Sequence, residues 1–399
     1  MHFTSPIQMV DLLSQHQKIQ MELDSAVMKV AHSGSYVNGP EVKIFTEGLK
    51  TFLGVEHVIP CANGTDALQI ALMSLGLKSG DEVITAAFTY IATAEVISLL
   101  GLKAVLVDVE PDYFGLDIDQ VESAITSKTK AIIPVHFSGL PCDMESIRKT
   151  ADGINALVIE DAAHALGAAY PDGSKVGSCK YSDMTGFSFH PVKSIAAGEG
   201  GMITTNNRDI YKKLLRLRSH GINKLDDDFI DKTAAVTGSD KNPWYMEMQE
   251  LGYNYRITDI QAALGKSQLK KLPNFIARRR QLAKRYDDAF SELDNIKPIQ
   301  AQGRETSSHH LYVVRIKYNS LGTTRARLMV DLANKGIMTQ VHYIPVTSHP
   351  YYKNLGFDSR DYPQALEFYE EALSIPLYYS LTDIEQDKVI GGLKKLVKL

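Results

Sequence analysis

Short apolar runs alternate with helical segments through the first half of the chain. Seven such runs lie at residues 58–60, 83–85, 104–107, 131–135, 157–159, 185–187 and 202–204. Continuous apolar strands separated by helices are typical of a mainly parallel sheet that helices cover on both faces. Active groups in such a sheet lie at the carboxyl ends of the strands. The pattern therefore predicts an α/β fold whose chemistry-bearing residues follow the strands.

Helical periodicity flanks this region on both sides. Apolar spacing predicts an amphipathic helix over residues 8–31, and Pro40 and Gly54 mark the start and end of a second helix. From about residue 270 the chain alternates helices with shorter strands, such as residues 311–316, which predicts a smaller α+β domain. We therefore expect a large domain over residues 1–269, which includes the N-terminal helix, and a small C-terminal domain over residues 270–399.

Composition narrows the class of protein. The chain has 399 residues, 44% of them hydrophobic and 23% charged, as in ordinary globular proteins. A net charge of -4 gives no electrostatic case for binding nucleic acid, and the basic cluster 278–280 is predicted to form a solvated face. The cysteines, Cys61, Cys142 and Cys179, lack metal-ligand spacing, so no metal site is expected.

Neither the N-terminus nor any apolar stretch predicts targeting to a membrane. The first residues lack a basic region followed by an apolar core, so no signal peptide is expected. The apolar stretch over residues 96–109 is interrupted by Gly101, Lys103 and Asp108 and is too short to span a bilayer. We therefore expect a cytoplasmic protein.

A carboxylate and a lysine follow two of the predicted strands. Asp161 ends the apolar run 157–159, and Lys193 follows the run 185–187 and precedes a glycine-rich turn at residues 198–201. A lysine that forms an imine needs a neutral amine, which a buried cleft favours. A carboxylate beside a pyridine nitrogen keeps that nitrogen protonated. These are the two protein groups that pyridoxal phosphate chemistry needs most, although a helix cap and a solvated lysine are the plainer alternatives.

The first predicted strand ends in a glycine turn that leads into a helix. Residues 62–66, with Gly64 in the middle, precede the apolar helical segment 67–72. Free backbone N–H groups and the positive end of the helix dipole suit a phosphate at such a turn. Taken alone, the same residues indicate only a capped helix start, and anion binding is the less favoured alternative.

The order of these features resembles the DegT-type sugar-nucleotide aminotransferases, which are fold-type I pyridoxal-phosphate enzymes. The series Asp161, Ser188, Lys193 and the glycine-rich turn carries the resemblance, which extends from about Ile7 to the C-terminal region. It implies that Lys193 holds pyridoxal 5'-phosphate as an imine, that Asp161 contacts the pyridine nitrogen and that His164 lies by the ring. The other cofactor contacts that the resemblance implies are the phosphate contacts Gly64, Thr65, Asp66 and Ser188 and the ring-stacking Tyr90.

The same resemblance extends to the substrate and to a second subunit. Residues 252–261 match the family segment that crosses into the neighbouring subunit, so Asn254 is expected to reach the partner's cofactor phosphate in a homodimer with shared active sites. Tyr36, His342 and Tyr343 are candidates for substrate contact. Packing of a turn or of a domain interface is an equally open interpretation of these three residues.

The resemblance implies transfer of an amino group, usually from L-glutamate, to a keto group of a nucleotide-linked sugar. Residues 244–254 and 189–193 are most similar to the C4 aminotransferase of the pseudaminic acid route, which favours a UDP-4-keto-6-deoxyhexose. Residues 61–66 are more similar to enzymes that aminate C3, so a UDP-3-keto sugar is the alternative. The sugar dehydratases that share this fold carry histidine at the position of the imine lysine, so the presence of Lys193 argues against a dehydratase. A non-catalytic regulatory protein with this fold is a third possibility, although both Lys193 and Asp161 are present.

Overall fold

A seven-stranded sheet forms the centre of the computed structural model, which describes residues 6–224, 229–299 and 304–397. Its strands are β1 (His57–Cys61), β2 (Glu82–Ala86), β3 (Lys103–Val107), β4 (Thr129–Ile133), β5 (Leu157–Asp161), β6 (Met184–Ser188) and β7 (Gly201–Thr205). Their order is β1-β7-β6-β5-β4-β2-β3, and only β7 runs antiparallel to its neighbours. Each predicted apolar run overlaps one of these strands, so the predicted mainly parallel sheet is confirmed.

Helices cover both faces of this sheet. Every residue of β2 and of β7 is buried, and successive strand residues point to opposite faces, so neither face is open to solvent. The helices of this part of the chain are α1 (Leu12–Gln17), α2 (Gln20–Ser33), α3 (Pro40–Leu53), α4 (Gly64–Ser74), α5 (Ala92–Leu99), α6 (Ile118–Ala124), α7 (Met144–Gly153) and α8 (Arg208–Leu217).

The N-terminal helix differs from its prediction. The expected single helix over residues 8–31 is two helices, α1 and α2, because Ile19 leaves the helical backbone region with φ -128°. Leu13, which the helical spacing of apolar residues predicts to be buried, is 70% exposed. The second prediction is confirmed: α3 begins at Pro40, and Gly54 caps it in the left-handed conformation, which a residue without a Cβ adopts easily.

The segment between α8 and the next long helix contains two short β-ribbons. Strand β8 (Ile222–Asn223) pairs with β11 (Glu247–Met248), and β9 (Val236–Thr237) pairs with β10 (Asp240–Lys241). The acidic run at residues 226–228, which the sequence places in a polar surface loop, lies outside the described residues. Helix α9 (Asp259–Leu269) follows the ribbons.

A second, antiparallel sheet organises the C-terminal part. It contains β12 (Ile296–Pro298), β13 (Tyr312–Ile316) and β14 (Ala372–Ile375) in that order. The helices here are α10 (Leu272–Phe290), α11 (Arg325–Ala333), α12 (Pro350–Asn354), α13 (Pro363–Glu371) and α14 (Asp383–Val397). No helix in the described ranges is both long enough and apolar enough to cross a membrane.

Two hydrophobic clusters correspond to the two sheets. The smaller cluster includes Ile7, whose N–H donates to the carbonyl of Gly336 (2.7 Å), whereas the larger one includes Phe368. The clusters therefore do not divide at one point of the chain, and the domain boundary at residues 269–270 stays a prediction.

One arginine of the basic cluster 278–280 is buried, contrary to the prediction of a solvated face. Arg279 is 3% exposed, and its Nη1 donates to the carbonyl oxygens of His309 (3.2 Å), His310 (3.2 Å) and Leu377 (3.0 Å). The guanidinium thus joins α10 to the segment that enters β13.

Candidate active site

A cavity of about 510 Å³ lies where the parallel strands end. Its walls come from the segments that follow β1, β2, β4, β5 and β6, and from the turn that precedes the antiparallel β7. Nine of the twelve site residues predicted from the sequence line it, namely Gly64, Thr65, Asp66, Tyr90, Asp161, His164, Ser188, Lys193 and Tyr343. The topology therefore gathers residues that are up to 279 positions apart in the chain.

Lys193 extends into this cavity from an irregular segment after β6. Burial lowers the pKa of its amine to about 8, while the negative charge of Asp161 acts in the opposite direction. An amine with that pKa is neutral in about a tenth of molecules at pH 7, compared with less than about a thousandth for an ordinary lysine. The cavity thus makes Lys193 a better nucleophile.

Asp161, the last residue of β5, is fixed through its backbone and its side chain. Its N–H donates to the carbonyl of Pro134 (2.9 Å). One carboxylate oxygen accepts a hydrogen bond from the hydroxyl of Thr93 (2.6 Å), and the other accepts one from the N–H of Ala163 (3.1 Å). The carboxylate is 7% exposed and therefore presents a single orientation to the cavity.

The first turn of α4 forms the end of the cavity. Asn63 caps the helix by accepting the N–H of Asp66 (2.9 Å), and the N–H groups of Gly64 and Thr65 have no partner within the helix. Gly64 lies against Ser188, where an added Cβ would be 2.8 Å from the serine Cβ. This close approach places the Ser188 hydroxyl beside the helix N-terminus, which suits a phosphate group.

Asp66 adds a negative charge at the same end. Burial, together with the charge of Glu199, raises the pKa of its carboxyl to about 6. Its side chain accepts a hydrogen bond from the Asn63 amide (2.8 Å), which opposes that increase. The carboxyl therefore lies beside the expected phosphate position with an affinity for a proton well above that of a normal aspartate.

His164 and Tyr343 form the opposite wall. The backbone N–H of Ser138 donates to Nδ1 of His164 (3.3 Å), and burial lowers the pKa of this ring well below its usual value. The neutral ring must then carry its proton on Nε2, which lies 3.1 Å from the Tyr343 hydroxyl. His164 therefore donates to Tyr343, and the tyrosine keeps its own proton for another acceptor.

Two residues near this site, His310 and Thr93, were not predicted from the sequence. The ring of His310 lies beside that of His164, tilted by 37° with centroids 4.3 Å apart, and the backbone N–H of His310 donates to the carbonyl of Ser138 (2.9 Å). Thr93 holds the Asp161 carboxylate. Two features of the sequence could have indicated them. His310 belongs to a pair of histidines just before β13, and Thr93 lies one helical turn after Tyr90.

Three predicted residues lie outside the cavity lining. Tyr36 is exposed, and its hydroxyl donates to the carbonyl of Ala31 (3.3 Å). Asn254 is also exposed. His342 is half-buried, with Nδ1 2.8 Å from the Ser374 hydroxyl, and burial lowers its pKa to about 4. The roles of these three residues, like those of the nine in the cavity, stay predictions.

A second cavity of about 340 Å³ lies near the exposed Asn254. Among the residues that the structure describes, its lining is cationic and contains no carboxylate, and it includes Lys212, Arg216, Arg218, Lys224 and Arg256. Arg216 is paired with Glu250 outside that lining (2.9 Å), and Arg218 donates to the carbonyl of Pro60 (2.7 Å).

Residues 17–394 match the model of the DegT/DnrJ/EryC1/StrS aminotransferase family. The chain belongs to this family. Among curated proteins, it is 39% identical over 360 residues to the uncharacterized protein MJ1066 of Methanocaldococcus jannaschii, which covers 90% of each chain. It is 37% identical over 376 residues to the spore coat polysaccharide biosynthesis protein SpsC of Bacillus subtilis, which covers 93% of each chain.

Solved structures show the same fold as this DegT-family chain. DesV of S. venezuelae, solved with a ketimine intermediate, has a TM-score of 0.89 at 30% identity and covers 99% of this chain and 100% of its own. The PLP form of Spr1654 from Streptococcus pneumoniae has a TM-score of 0.83 at 32% identity, with 100% and 98% covered. PseC of Helicobacter pylori, an aminotransferase involved in the biosynthesis of pseudoaminic acid, has a TM-score of 0.85 at 29% identity, with 94% and 96% covered.

The DegT-family chain is a transaminase with the fold-type I architecture, as the sequence predicted. Its predicted cofactor, pyridoxal phosphate, is also confirmed, and the cavity fits this group chemically. An amine of lowered pKa, an oriented carboxylate and a helix N-terminus meet there, on Lys193, Asp161 and α4. These are the groups that an aldehyde, a pyridine nitrogen and a phosphate require.

Proposed function

We propose that this transaminase transfers the amino group of L-glutamate to the C4 keto group of a UDP-linked 4-keto-6-deoxyhexose. The observation that carries the chemistry is that Lys193 and Asp161 line one cavity, which ends at the first turn of α4. The likeness to PseC, an aminotransferase involved in the biosynthesis of pseudoaminic acid, and to SpsC, a spore coat polysaccharide biosynthesis protein, supports a sugar acceptor.

Several residues of the cavity have specific roles in this proposal. When bound, pyridoxal phosphate supplies an electron-withdrawing ring. Asp161 holds a proton at the ring nitrogen, and Lys193 attaches the cofactor and, once released, moves protons between carbon atoms of cofactor and substrate. Ser188 and the N–H groups of Gly64 and Thr65 bind the phosphate.

The opposite wall orients the substrate. Tyr90 would stack against the ring of the cofactor, and its own ring lies 5.5 Å from that of Tyr343. Because His164 donates to the Tyr343 hydroxyl, the tyrosine proton points away from His164 and remains available to an oxygen of the substrate. His342 supports this wall from the same irregular segment.

The exposed positions of Tyr36 and Asn254 support a homodimer with shared active sites. The two segments run side by side, since the N–H of Asp259 donates to the carbonyl of Tyr36 (2.9 Å) and Val37 bridges Thr258. Both residues are exposed and lie outside the cavity lining of their own chain. They are therefore available to a second copy, whose cofactor phosphate Asn254 would contact.

Charge supports a nucleotide-linked acceptor. Among the described residues, the lining of the main cavity has three carboxylates, Asp66, Asp161 and Glu199, and one lysine, Lys193, which the proposal assigns to the cofactor and not to the diphosphate of a sugar nucleotide. The described lining of the cationic cavity, which includes Arg256 two residues after Asn254, has more cations than carboxylates. In a dimer this surface of one subunit would contribute its cations to the substrate of the other.

The main alternative is C3 amination of a UDP-3-keto sugar, which the turn at residues 61–66 favours. The test runs the reaction backwards, from 4-amino and 3-amino sugar nucleotides with 2-oxoglutarate as acceptor, and follows the absorbance of the cofactor. We expect conversion of the 4-amino compound. Conversion of the 3-amino compound alone would overturn the C4 assignment, and conversion of neither would exclude both nucleotide sugars.

A further inference from the structure

The segment that carries Lys193 has little regular structure of its own. Residues 190–199 contain no helix or strand, yet residues 194–197 are buried. Two backbone hydrogen bonds close the ends of the loop, from Phe189 N–H to Gly200 (2.7 Å) and from Ala197 N–H to Phe189 (2.9 Å). Buried peptide groups between these ends need partners from elsewhere in the protein.

Gln268, near the end of α9, forms hydrogen bonds with both the backbone N–H and the carbonyl of the buried Ala196. The N–H of Ala196 donates to its Oε1 (3.1 Å), and its Nε2 donates back to the carbonyl of Ala196 (2.6 Å). The same Nε2 also donates to the carbonyl of Leu264 within α9 (3.0 Å). The side chain is 0% exposed, and a flipped amide would place a donor against the Ala196 N–H, so one orientation is enforced.

Helix α9 offers a rigid base for this contact. The carboxylate of Asp259 accepts the N–H groups at the start of α3, including that of Gly39 (2.8 Å) and that of Glu41 (3.0 Å). Gly265 packs so closely on Phe45 that an added Cβ would lie 2.6 Å from its ring. The position of Gln268 is therefore set by the packing of α9 on α3 and not by the loop.

We propose that Gln268 is a positioning residue for Lys193, three residues before Ala196 in the chain. Its side chain does not line the catalytic cavity and acts through the backbone of the segment. The inference rests on the proposed role of Lys193 as the residue that attaches the cofactor and transfers protons. Because proton transfer requires a narrow range of geometries, a displacement of the lysine by about 1 Å lowers the rate by about 100-fold.

Gln386 provides a matched control. It is also 0% exposed, lies on α14, accepts from Arg285 (2.9 Å) and donates to the carbonyl of Leu282 (2.7 Å). It does not line the catalytic cavity. Gln268→Leu removes three hydrogen bonds of a buried glutamine, two of them to the lysine segment, and Gln386→Leu removes two that are remote from it.

The experiment compares the two leucine variants as holoenzymes, by hydrogen–deuterium exchange, thermal melting and kinetics. Both should melt at lower temperature than the unaltered protein. Only Gln268→Leu should increase exchange in peptides that cover residues 190–199, and its kcat should fall by about 10- to 100-fold while KM changes little. Equal losses of kcat in both variants, or unchanged exchange in residues 190–199, would show that Gln268 is only a buried core residue.

Gln268→Glu keeps the measurement possible if the leucine variant fails to fold. A neutral glutamic acid still accepts from the Ala196 N–H and donates from its hydroxyl to the Ala196 carbonyl, so it should retain more activity and less exchange than leucine. A glutamate variant with no advantage over leucine would contradict the hydrogen-bond explanation.

The role of Lys193 is tested separately by reductive labelling with borohydride. A label on another lysine would overturn the proposed attachment, whereas the exchange data would still report whether Gln268 orders residues 190–199. The two failures are therefore distinguishable.

Discussion

Asp161→Asn separates the charge of the carboxylate from its structural contacts. The asparagine oxygen can keep the hydrogen bond from the Ala163 N–H, which leaves the amide nitrogen facing Thr93. The Thr93 hydroxyl can accept from that nitrogen, since it has a second partner in the Thr89 hydroxyl 3.0 Å away. Both contacts therefore survive the substitution, and we expect unfolding free energy to change by no more than about 1 kcal/mol.

The rate should change far more. A carboxylate within about 4 Å of a protonated ring nitrogen, in surroundings with an effective dielectric constant of about 20, stabilises that proton by about 4 kcal/mol. Asp161 is 7% exposed, so solvent screening does not remove this interaction. Loss of 4 kcal/mol from the transition state corresponds to a decrease in rate of about 1000-fold.

A half-reaction with glutamate measures this effect directly, because it follows the absorbance of the bound cofactor without any sugar acceptor. Thermal melting of the same preparation shows whether the fold is retained. A variant that folds normally and reacts at the rate of the unaltered protein would show that the carboxylate is structural. A variant that is both inactive and strongly destabilised would refute the proposed exchange of contacts with Thr93.

Two further predictions concern attachment and assembly. Borohydride reduction of the holoenzyme should fix the cofactor on Lys193, with peptide mapping as the measurement, and Lys193→Ala should lower turnover by several orders of magnitude, on the order of 10³-fold or more. Mixing Lys193→Ala with Asn254→Ala should restore part of the activity, because some heterodimers would contain one unaltered site. If subunit exchange is demonstrated and no activity returns, Asn254 does not act across a dimer.

The hydrophobic pattern was sufficient to predict the sheet. A strand buried on both faces needs an unbroken apolar run, and such runs are unambiguous when glycine turns and helices separate them. The placement of Asp161 and Lys193 in one cavity follows from parallel topology, since β5 and β6 are neighbours and end at the same edge. The break between α1 and α2 was not predictable in this way, because the apolar period continues across Ile19 while the backbone does not.

Contacts between distant segments were beyond single-sequence prediction. Tyr343 reaches His164 from 179 positions away, and nothing in the sequence around either residue encodes their 3.1 Å approach. Arg279 was misjudged for the same reason, because a run of three arginines is usually solvated unless backbone carbonyls from other segments converge on one of them. Prediction succeeded where local pattern or topology dictates position and failed where tertiary packing decides it.

The separation of positive and negative side chains between the two cavities was likewise not predictable from the composition. A net charge of -4 indicates no preference for anions, yet the two cavities differ sharply, with three carboxylates around Lys193 and a cluster of arginines and lysines near Arg256. Under the proposed function, anionic ligands are expected at both positions. A second copy that brings Asn254 and Arg256 to the cavity of the first would combine the two, because cations and carboxylates held on separate surfaces of one chain would then act on the same substrate. The net charge of this chain therefore does not indicate whether the acceptor is anionic. The charges that line each cavity, in each subunit of the proposed dimer, are the relevant quantity.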